Sequence, residues 1–448
     1  MRPAIETERA GIPTVVVTST GFTTLARLTA KAGGVDGIRT AEYPGPLGMH
    51  PSSTIEEKVN GVLVERIIEG LTQTSAEVEA PKAEKWDPRR IVFSGTLREV
   101  NDFFAEQEWS DGLPVIPPTR DVIEEFLRHI DAPADQPIAT LPSANLIATP
   151  WNIAANAVMS GCRPEHTPIL TAAVEALADE RCSLANVGSS SGLLPFLVLN
   201  GPIVEKLGLQ TRGGLVSKSP NTAIGRAIGL IVRNIAGFRP GKSYMGTFGY
   251  PLVFTVAENE AESPWEPFHI GQGFARTEST VTIGVTTNWG SSPEASATPD
   301  TNGADVALEL MRREIVKKAR IFDFPTVGAK AEHVMITVLM SPIIARSLAD
   351  AGYSKESIAQ HLYENTRMPL RDFAWFTKHT YPAAVPVREK ALAGLLPNEF
   401  LGAPEDMVRV LSGPEIVHIV VCGDPNRNRL MVLEGGHTRP TTKKIHNA

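Results

Sequence analysis

Residues 8–71 carry a strand–helix–strand–helix pattern that is too short to form a closed α/β layer. Residues 14–18 are an apolar, β-branched run, and a polar turn leads from it into an amphipathic stretch at residues 23–32. A second short strand at residues 37–43 precedes a loop rich in proline and glycine and a helix over residues 53–71. Two strands and two helices are too few to bury a parallel sheet on both faces. The pattern predicts a partial, doubly wound parallel-sheet segment. Protein outside this segment must complete the layer.

A polar stretch separates this segment from the rest of the chain. Residues 73–94 show no apolar periodicity, which is typical of a linker. We therefore divide the chain into a partial α/β segment at residues 1–72, the linker, and a large mixed α/β (α+β) domain at residues 95–448. The large domain is the expected substrate domain. No internal repeat at the ~20–50-residue periods of solenoids is visible.

Helical and strand-like patterns alternate through the large domain, which favours α/β or α+β layers over an all-β sandwich. Helices are predicted at residues 97–108, 121–130, 152–159, 168–179, 222–236, 304–318, 343–351 and 355–365. Strands are predicted at residues 196–199, 252–256, 281–286, 334–340, 416–421 and 430–433.

Composition argues against several classes of function. The chain has 43 Lys and Arg against 50 Asp and Glu, so nucleic acid is not an expected partner, because phosphate binding needs a basic face. Neither a long apolar run nor a signal-peptide core occurs, and we expect a cytoplasmic protein with no membrane partner. Three scattered cysteines and no paired Cys/His spacing predict neither a disulfide framework nor a metal site, and the cofactor stays unknown.

Two motifs give the amino-terminal segment a family resemblance. Residues 8–13 read Glu-Arg-Ala-Gly-Ile-Pro, and residues 44–48 read Pro-Gly-Pro-Leu-Gly. The segment resembles the C-terminal part of the UGSC-like (seleno)proteins and, more remotely, the selenoprotein B component of the glycine, betaine and D-proline reductases. In those families a His is usual at the position of Gly45, and a redox-active Sec or Cys precedes the first motif. Residues 1–7 contain no cysteine, so the reactive residue is not carried over to this chain.

The resemblance implies a subunit of a heteromeric enzyme, an oxidoreductase or a lyase. A second subunit with the Cys or Sec motif would complete the sheet and supply a thiolate or selenolate. That group would cleave or reduce a carbon–heteroatom bond in a small polar or anionic metabolite. Ser19 and Thr20 after the first strand, and His50 after the second, should open on the same sheet edge and bind the substrate. The alternative for these residues is ordinary strand-to-helix turn chemistry.

Cys162 is the candidate nucleophile of a self-contained lyase or hydrolase. It lies between two predicted helices, next to Arg163 and close to Glu165 and His166. A cationic neighbour and a helix N-terminus lower the pKa of a thiol, His166 can act as the base, and Glu165 can orient it. The alternative is an inert cysteine, because free Cys is among the most buried residue types.

An anion site is predicted at the start of the helix at residues 222–236. Asn221 suits the N-cap position, and the free N–H groups of a helix N-terminus attract carboxylate or phosphate. Lys218 and Ser219 precede this cap and Arg226 lies one turn inside, so all three are candidate substrate-binding residues. The alternative is a capped core helix with solvated basic side chains.

A further candidate site follows the strand at residues 252–256. Four carboxylates occur within residues 258–266, and ligands of α/β layers collect at the carboxyl ends of strands. Glu258 is predicted to bind substrate, Trp265 to offer a stacking face and His269 to carry a proton. The alternative is a solvated loop.

The whole chain can also be a noncatalytic scaffold or regulatory subunit that binds its partner through an exposed sheet edge.

Overall fold

The computed structural model shows a mixed α/β protein, which confirms the predicted fold class. It describes residues 2–72, 87, 89–188, 190, 192–249, 252–287, 289–318, 335–379, 386–435 and 439–446. The helices are α1 (Arg2–Arg9), α2 (Thr23–Ala32), α3 (Ser52–Lys58), α4 (Val64–Thr72), α5 (Leu97–Glu106), α6 (Arg120–Leu127), α7 (Pro150–Ser160), α8 (Thr167–Ala178), α9 (Ile203–Lys206), α10 (Asn221–Asn234), α11 (Gly303–Lys318), α12 (Pro342–Asp350), α13 (Lys355–Asn365), α14 (Leu370–His379) and α15 (Val387–Leu392).

The strands are β1 (Val15–Ser19), β2 (Arg39–Tyr43), β3 (Ala139–Leu141), β4 (Leu146–Ala148), β5 (Leu194–Asn200), β6 (Phe254–Ala257), β7 (Thr280–Thr286), β8 (Ile336–Met340), β9 (Arg367–Pro369), β10 (Met407–Arg409), β11 (Val417–Val421), β12 (Leu430–Glu434) and β13 (Thr441–Lys444). Within the ranges given above, no helix has the length and apolar character needed to cross a membrane.

The amino-terminal segment is a two-stranded parallel sheet with helices on both faces, as predicted. β1 pairs with β2 in parallel, with Val17 opposite Ala41. On one face α1 and α2 bury Ile5 and Ala30, and on the other face α3 and α4 cover Ala41 and Tyr43. α3 and α4 are joined by a π-helical turn at Val59–Leu63. Helix α1 was not predicted, and it adds cover from this chain to the first face.

The outer edge of β1 stays open in the described part of the chain, where β2 is its one partner. The Thr20 N–H donates to the Tyr43 carbonyl, so by the alternation of a parallel ladder the backbone groups of Val17 point away from β2. The Val17 side chain is 51% exposed, although its neighbour Ala41 is fully buried. On the opposite edge, Arg66 donates to the Glu42 carbonyl at 2.7 Å. The outer edge of β1 therefore has no strand partner among the described residues, whereas an arginine bonds the outer edge of β2.

The large region contains two units of identical strand topology. In unit 1, β5 pairs in parallel with β6 and antiparallel with β7. In unit 2, β8 pairs in parallel with β11 and antiparallel with β12. β13 extends unit 1 alongside β7. In both units the central strand runs directly into a helix, α9 or α12, and the chain returns to a parallel neighbour.

Each unit has its own hydrophobic core. Helices α7, α8 and α10 contribute to the core of unit 1, whereas α11 to α14 contribute to that of unit 2. Every residue of the central strands β5 and β8 is buried, as expected for strands covered on both faces. One face of α10 is buried too, with Ile224, Ile228 and Ile231 all inaccessible to solvent.

Equivalent strands of the two units contact each other. After β6, the Asn259 N–H donates to the Val421 carbonyl of β11 at 2.7 Å, and after β7 the Thr287 N–H donates to the Glu434 carbonyl of β12 at 3.0 Å. Contacts between equivalent elements are the pattern of a two-fold-related pair. The carboxyl ends of β6 and β11 thus meet where the two units join.

Most of the predicted linker, residues 73–86 and 88, lies outside the described residues. The division of the chain at residues 72 and 95 therefore stays a prediction.

Substitution of two glycines in α10 can test how closely this helix packs on β6. A Cβ added at Gly225 would overlap the Val253 carbonyl oxygen, whereas one at Gly229 would make an ordinary contact 3.5 Å from the Val253 side chain. We expect Gly225→Ala to lower the free energy of unfolding by about 1–3 kcal/mol, because the backbone must move. Gly229→Ala, the matched control, should be neutral or stabilising by at most about 1 kcal/mol. Urea unfolding measures both, and equal effects would contradict the packing.

Candidate functional site

A buried carboxylate organises the carboxyl end of β6. Glu258 Oε2 accepts hydrogen bonds from Asn200 Nδ2 at 2.5 Å and from the Phe268 N–H at 2.7 Å. Its Oε1 lies 3.0 Å from Lys355 Nζ, and the Glu258 side chain is inaccessible to solvent. We name Asn200, Glu258, Glu260, His269 and Lys355 the Glu258 cluster.

The strand topology brings these residues together. Asn200 ends β5 and Glu258 directly follows β6, and the register pairs Leu199 with Ala257. The carboxyl ends of adjacent parallel strands form one edge, which is where α/β proteins place their ligands. Lys355 begins α13 in unit 2, so the cluster joins the two units.

Glu260 and His269 complete the cluster. Glu260 Oε1 accepts hydrogen bonds from Asn200 Nδ2 at 3.0 Å and the Gly201 N–H at 2.7 Å. His269 is fully buried, and its Nε2 lies 3.1 Å from the Ala275 carbonyl. Because a carbonyl can only accept, Nε2 carries the proton and Nδ1 of the neutral ring is an acceptor. Nδ1 lies 3.8 Å from Glu260 Oε1.

The structure brings Glu258 and His269 together but places Trp265 elsewhere. The Trp265 Nε1–H donates to the Tyr353 carbonyl at 2.9 Å, and the ring packs against the core of unit 2. Asn200, Glu260 and Lys355 were not predicted as site residues. A strand-ending Asn beside a Gly-Pro turn was a usable signal for Asn200, whereas nothing in the sequence connects Lys355 with Glu258.

The loops after β1 and β2 lie together at the carboxyl edge of the amino-terminal sheet. Thr20 Oγ1, one residue beyond the strand end at Ser19, accepts a hydrogen bond from the Gly45 N–H at 2.9 Å. Tyr43 Oη and His50 Nδ1 are 2.7 Å apart. A Cβ added at Gly45 would lie 2.8 Å from His50 Cε1, so the imidazole fills the space next to this glycine. Ser19, Thr20, Gly45 and His50 form what we name the amino-terminal edge.

Charged groups flank the amino-terminal edge. Lys58 Nζ donates to the Pro44 carbonyl at 2.8 Å and lies 5.9 Å from the centroid of the Tyr43 ring. A hydrogen bond from Thr23, assisted by one from Thr20, holds the pKa of the Glu42 carboxyl below its usual value. The edge therefore combines an ammonium group, an imidazole and an ionised carboxylate.

Cys162 lies in surroundings that disfavour its thiolate. Burial raises the pKa of its thiol to about 12, against the smaller opposite effect of a hydrogen bond from Ser160. The Arg163 N–H donates to His166 Nδ1 at 3.1 Å, and burial lowers the pKa of His166. The expectation of a lowered thiol pKa is therefore wrong, because the helices around Cys162 exclude water. The roles of Cys162, Glu165 and His166 in catalysis stay predictions without support from this geometry.

The start of α10 differs from the predicted anion site. Asn221 is the first residue of the helix rather than its cap, and its side-chain amide bonds the backbone of Gln210, with Oδ1 2.8 Å from N. Arg226 makes two 2.9 Å hydrogen bonds to the Asp111 carboxylate. Burial opposes ionisation of Asp111, but these bonds and the guanidinium charge bring its pKa below the usual value. Arg226 is thus engaged within the fold, while Lys218 and Ser219 are exposed beside it.

The described residues contain no group of three or more His, Cys, Asp or Glu side chains placed to hold a metal ion.

Comparison with known proteins identifies the amino-terminal segment. Residues 1–73 match the model of the UGSC family. No curated protein and no solved structure matches the chain. The resemblance to UGSC-like proteins is confirmed for the segment that contains β1 and β2, and the remoter resemblance to selenoprotein B is not confirmed. The Glu258 cluster lies outside the matched residues.

The Glu258–Lys355 pair can be tested through stability. Lys355→Met should lower the free energy of unfolding by about 3 kcal/mol, because it leaves a buried carboxylate without its counter-ion. The double variant Glu258→Gln, Lys355→Met should recover most of this loss in urea unfolding. The control is Lys444→Met, which removes an exposed pair with Glu278 and should leave the stability nearly unchanged. Equal effects of the two lysine variants would contradict the role given to Lys355.

Proposed function

We propose that the chain is a subunit of a heteromeric enzyme, in which a second subunit completes the active site at the amino-terminal edge. One observation carries the proposal. The open, apolar edge of β1 leads to the loop of Thr20, next to the His50–Tyr43 hydrogen bond. The family match covers this same segment.

A strand added alongside β1 would satisfy its free backbone groups and cover Val17. Addition of a strand to an open sheet edge is a common mode of protein recognition. If the added strand is parallel, its carboxyl end lies at the edge that holds Thr20 and His50. A reactive Cys or Sec after that strand would then arrive beside the imidazole.

The proposed chemistry is attack by this thiolate or selenolate on a carbon that bears a heteroatom. A bond from sulfur or selenium to carbon forms, and the heteroatom leaves with the bonding electron pair and takes a proton from His50 Nε2. Tyr43 orients the ring through Nδ1, and the charge of Lys58 favours the anionic nucleophile. In a reductase, a second thiol then attacks the sulfur or selenium and forms a disulfide or selenenyl sulfide, while the carbon leaves with the bonding electron pair and takes up the proton of that thiol. In a lyase, the thiolate or selenolate instead leaves the carbon with the bonding electron pair, and the adjacent carbon loses a proton to His50 Nε2 as the double bond forms.

The two alternatives have less support. A self-contained enzyme needs a reactive Cys162, and the raised pKa of that thiol opposes it. A noncatalytic scaffold needs the same β1 edge but gives no role to the imidazole beside it. We place the complex in the cytoplasm, where the three free cysteines found in the structure remain reduced.

Assembly can be tested with matched substitutions on two exposed strand positions. Val17→Lys places a charge on the β1 edge, whereas Ile147→Lys makes the same change on β4 at the same 51% exposure. The wild-type protein and the Ile147→Lys variant, purified from the native host, should both carry a second polypeptide with an alkylatable Cys or Sec. The Val17→Lys variant should lack this polypeptide. Native mass spectrometry measures the composition. A monodisperse monomer with full activity would refute the proposal.

His50 separates an enzyme from a scaffold. His50→Asn should keep the second subunit but lower turnover by about a hundredfold, the usual effect of losing a general acid. Cys162→Ala should keep both the second subunit and the turnover of the wild type. Turnover is measured on small polar metabolites with a dithiol reductant, with product detection by mass spectrometry. Unchanged turnover in His50→Asn would favour the scaffold, and lost turnover in Cys162→Ala would favour the self-contained enzyme.

A further inference from the structure

Two acceptor atoms of the Glu258 cluster are buried without a hydrogen-bond donor. Asn200 Oδ1 and His269 Nδ1 are both inaccessible, and no partner satisfies either atom. The orientation of the Asn200 amide is fixed, because its Nδ2 donates to Glu258 Oε2 and to Glu260 Oε1 at once. The ring of His269 is fixed by the bond from Nε2 to the Ala275 carbonyl. Buried acceptors of this kind cost free energy unless something donates to them.

With the His269 ring neutral, the cluster also carries one uncompensated negative charge. The ammonium of Lys355 neutralises the carboxylate of Glu258 at 3.0 Å. Glu260 accepts bonds from two amide groups, and among the described residues no Lys or Arg lies within ion-pair distance of it. Uncharged amides leave the Glu260 charge in place. The free ligand positions of the site are therefore acceptors, and the site as a whole is anionic.

The spacing of these acceptors suits a single donor nitrogen. His269 Nδ1 and Glu260 Oε1 are 3.8 Å apart, so a nitrogen about 2.9 Å from Nδ1, the ordinary length of a hydrogen bond, can also lie beside the Glu260 carboxylate. A charged N–H donor forms the stronger bond to a carboxylate. Glu260 provides the approach, because its side chain is 20% exposed while His269 is fully buried.

We propose that the Glu258 cluster binds the primary ammonium group of a small metabolite, with Glu260 and His269 Nδ1 as its acceptors. The position of Lys355 inside the cluster disfavours a divalent metal, because its ammonium already holds the most buried carboxylate. A quaternary ammonium has no N–H to donate to the imidazole, so primary amines are selected over fully methylated ones. Neither the family match nor the function proposed for the amino-terminal edge includes these residues.

Ethylammonium chloride is the probe, and the full-length chain is the sample. Isothermal titration should show binding of ethylammonium, with no binding of tetramethylammonium, potassium or acetate under the same conditions. Glu260→Gln should weaken the affinity at least tenfold, since it removes the charge at nearly constant shape. Glu266→Gln changes a carboxylate in the same loop, 65% exposed and paired with Arg276, and should bind as the wild type does.

A second readout does not depend on a variant. With selectively ¹⁵N-labelled histidine, the Nδ1 resonance of His269 should shift on addition of ethylammonium and stay in place with tetramethylammonium. Equal binding of the two cations would overturn the proposal, as would binding of acetate instead. No binding of ethylammonium and no shift of Nδ1 would show that a water molecule alone satisfies the acceptors, which also overturns it.

Discussion

The buried Glu258 carboxylate depends on donors from both units of the large region. Moving a carboxylate out of water costs several kcal/mol unless donors surround it. Here the donors come from the end of β5, the loop at Phe268 and the start of α13, and these segments belong to both units. Each segment must be in place for the charge to be tolerated. The same group therefore contributes both to the geometry of the candidate site and to the contact between the two units.

The elements were largely predictable because their signals are local. The stripe of Ile224, Ile228 and Ile231 predicts α10 from within one helix, and the continuous apolar run of β5 predicts a buried strand. Helix α1 escaped prediction because its eight residues are mostly polar, with Ile5 as the one large apolar side chain. The pairing of Glu258 with Lys355 depends on tertiary folding across 97 residues, which no local pattern records. Burial of Cys162 likewise depends on helices packed around it, so its pKa was predicted in the wrong direction.

The two units share topology but differ in chemistry at equivalent positions. In unit 1 the Glu258 N–H donates to the Leu199 carbonyl of the central strand, and in unit 2 the Cys422 N–H donates to the Met340 carbonyl of the central strand. Cys422 is therefore the counterpart of Glu258. Burial and the nearby Glu258 carboxylate raise the pKa of Cys422, and the thiol stays neutral. One member of the pair is thus an ion and the other an uncharged group. The related topology was not visible as a sequence repeat, because the segments between equivalent strands differ in length and composition.

The π-helical turn at Val59–Leu63 has a consequence for the amino-terminal edge. A π turn holds one residue more than an α turn, so it rotates the helix after it by roughly 100° relative to a continuous α-helix. Before the turn, Lys58 reaches the Pro44 carbonyl, and after it Arg66 reaches the Glu42 carbonyl. A single uninterrupted helix would direct one of these cations away from the sheet. The irregular turn orients the two halves independently, so that one continuous helical segment contacts both the loop at Pro44 and the outer edge of β2.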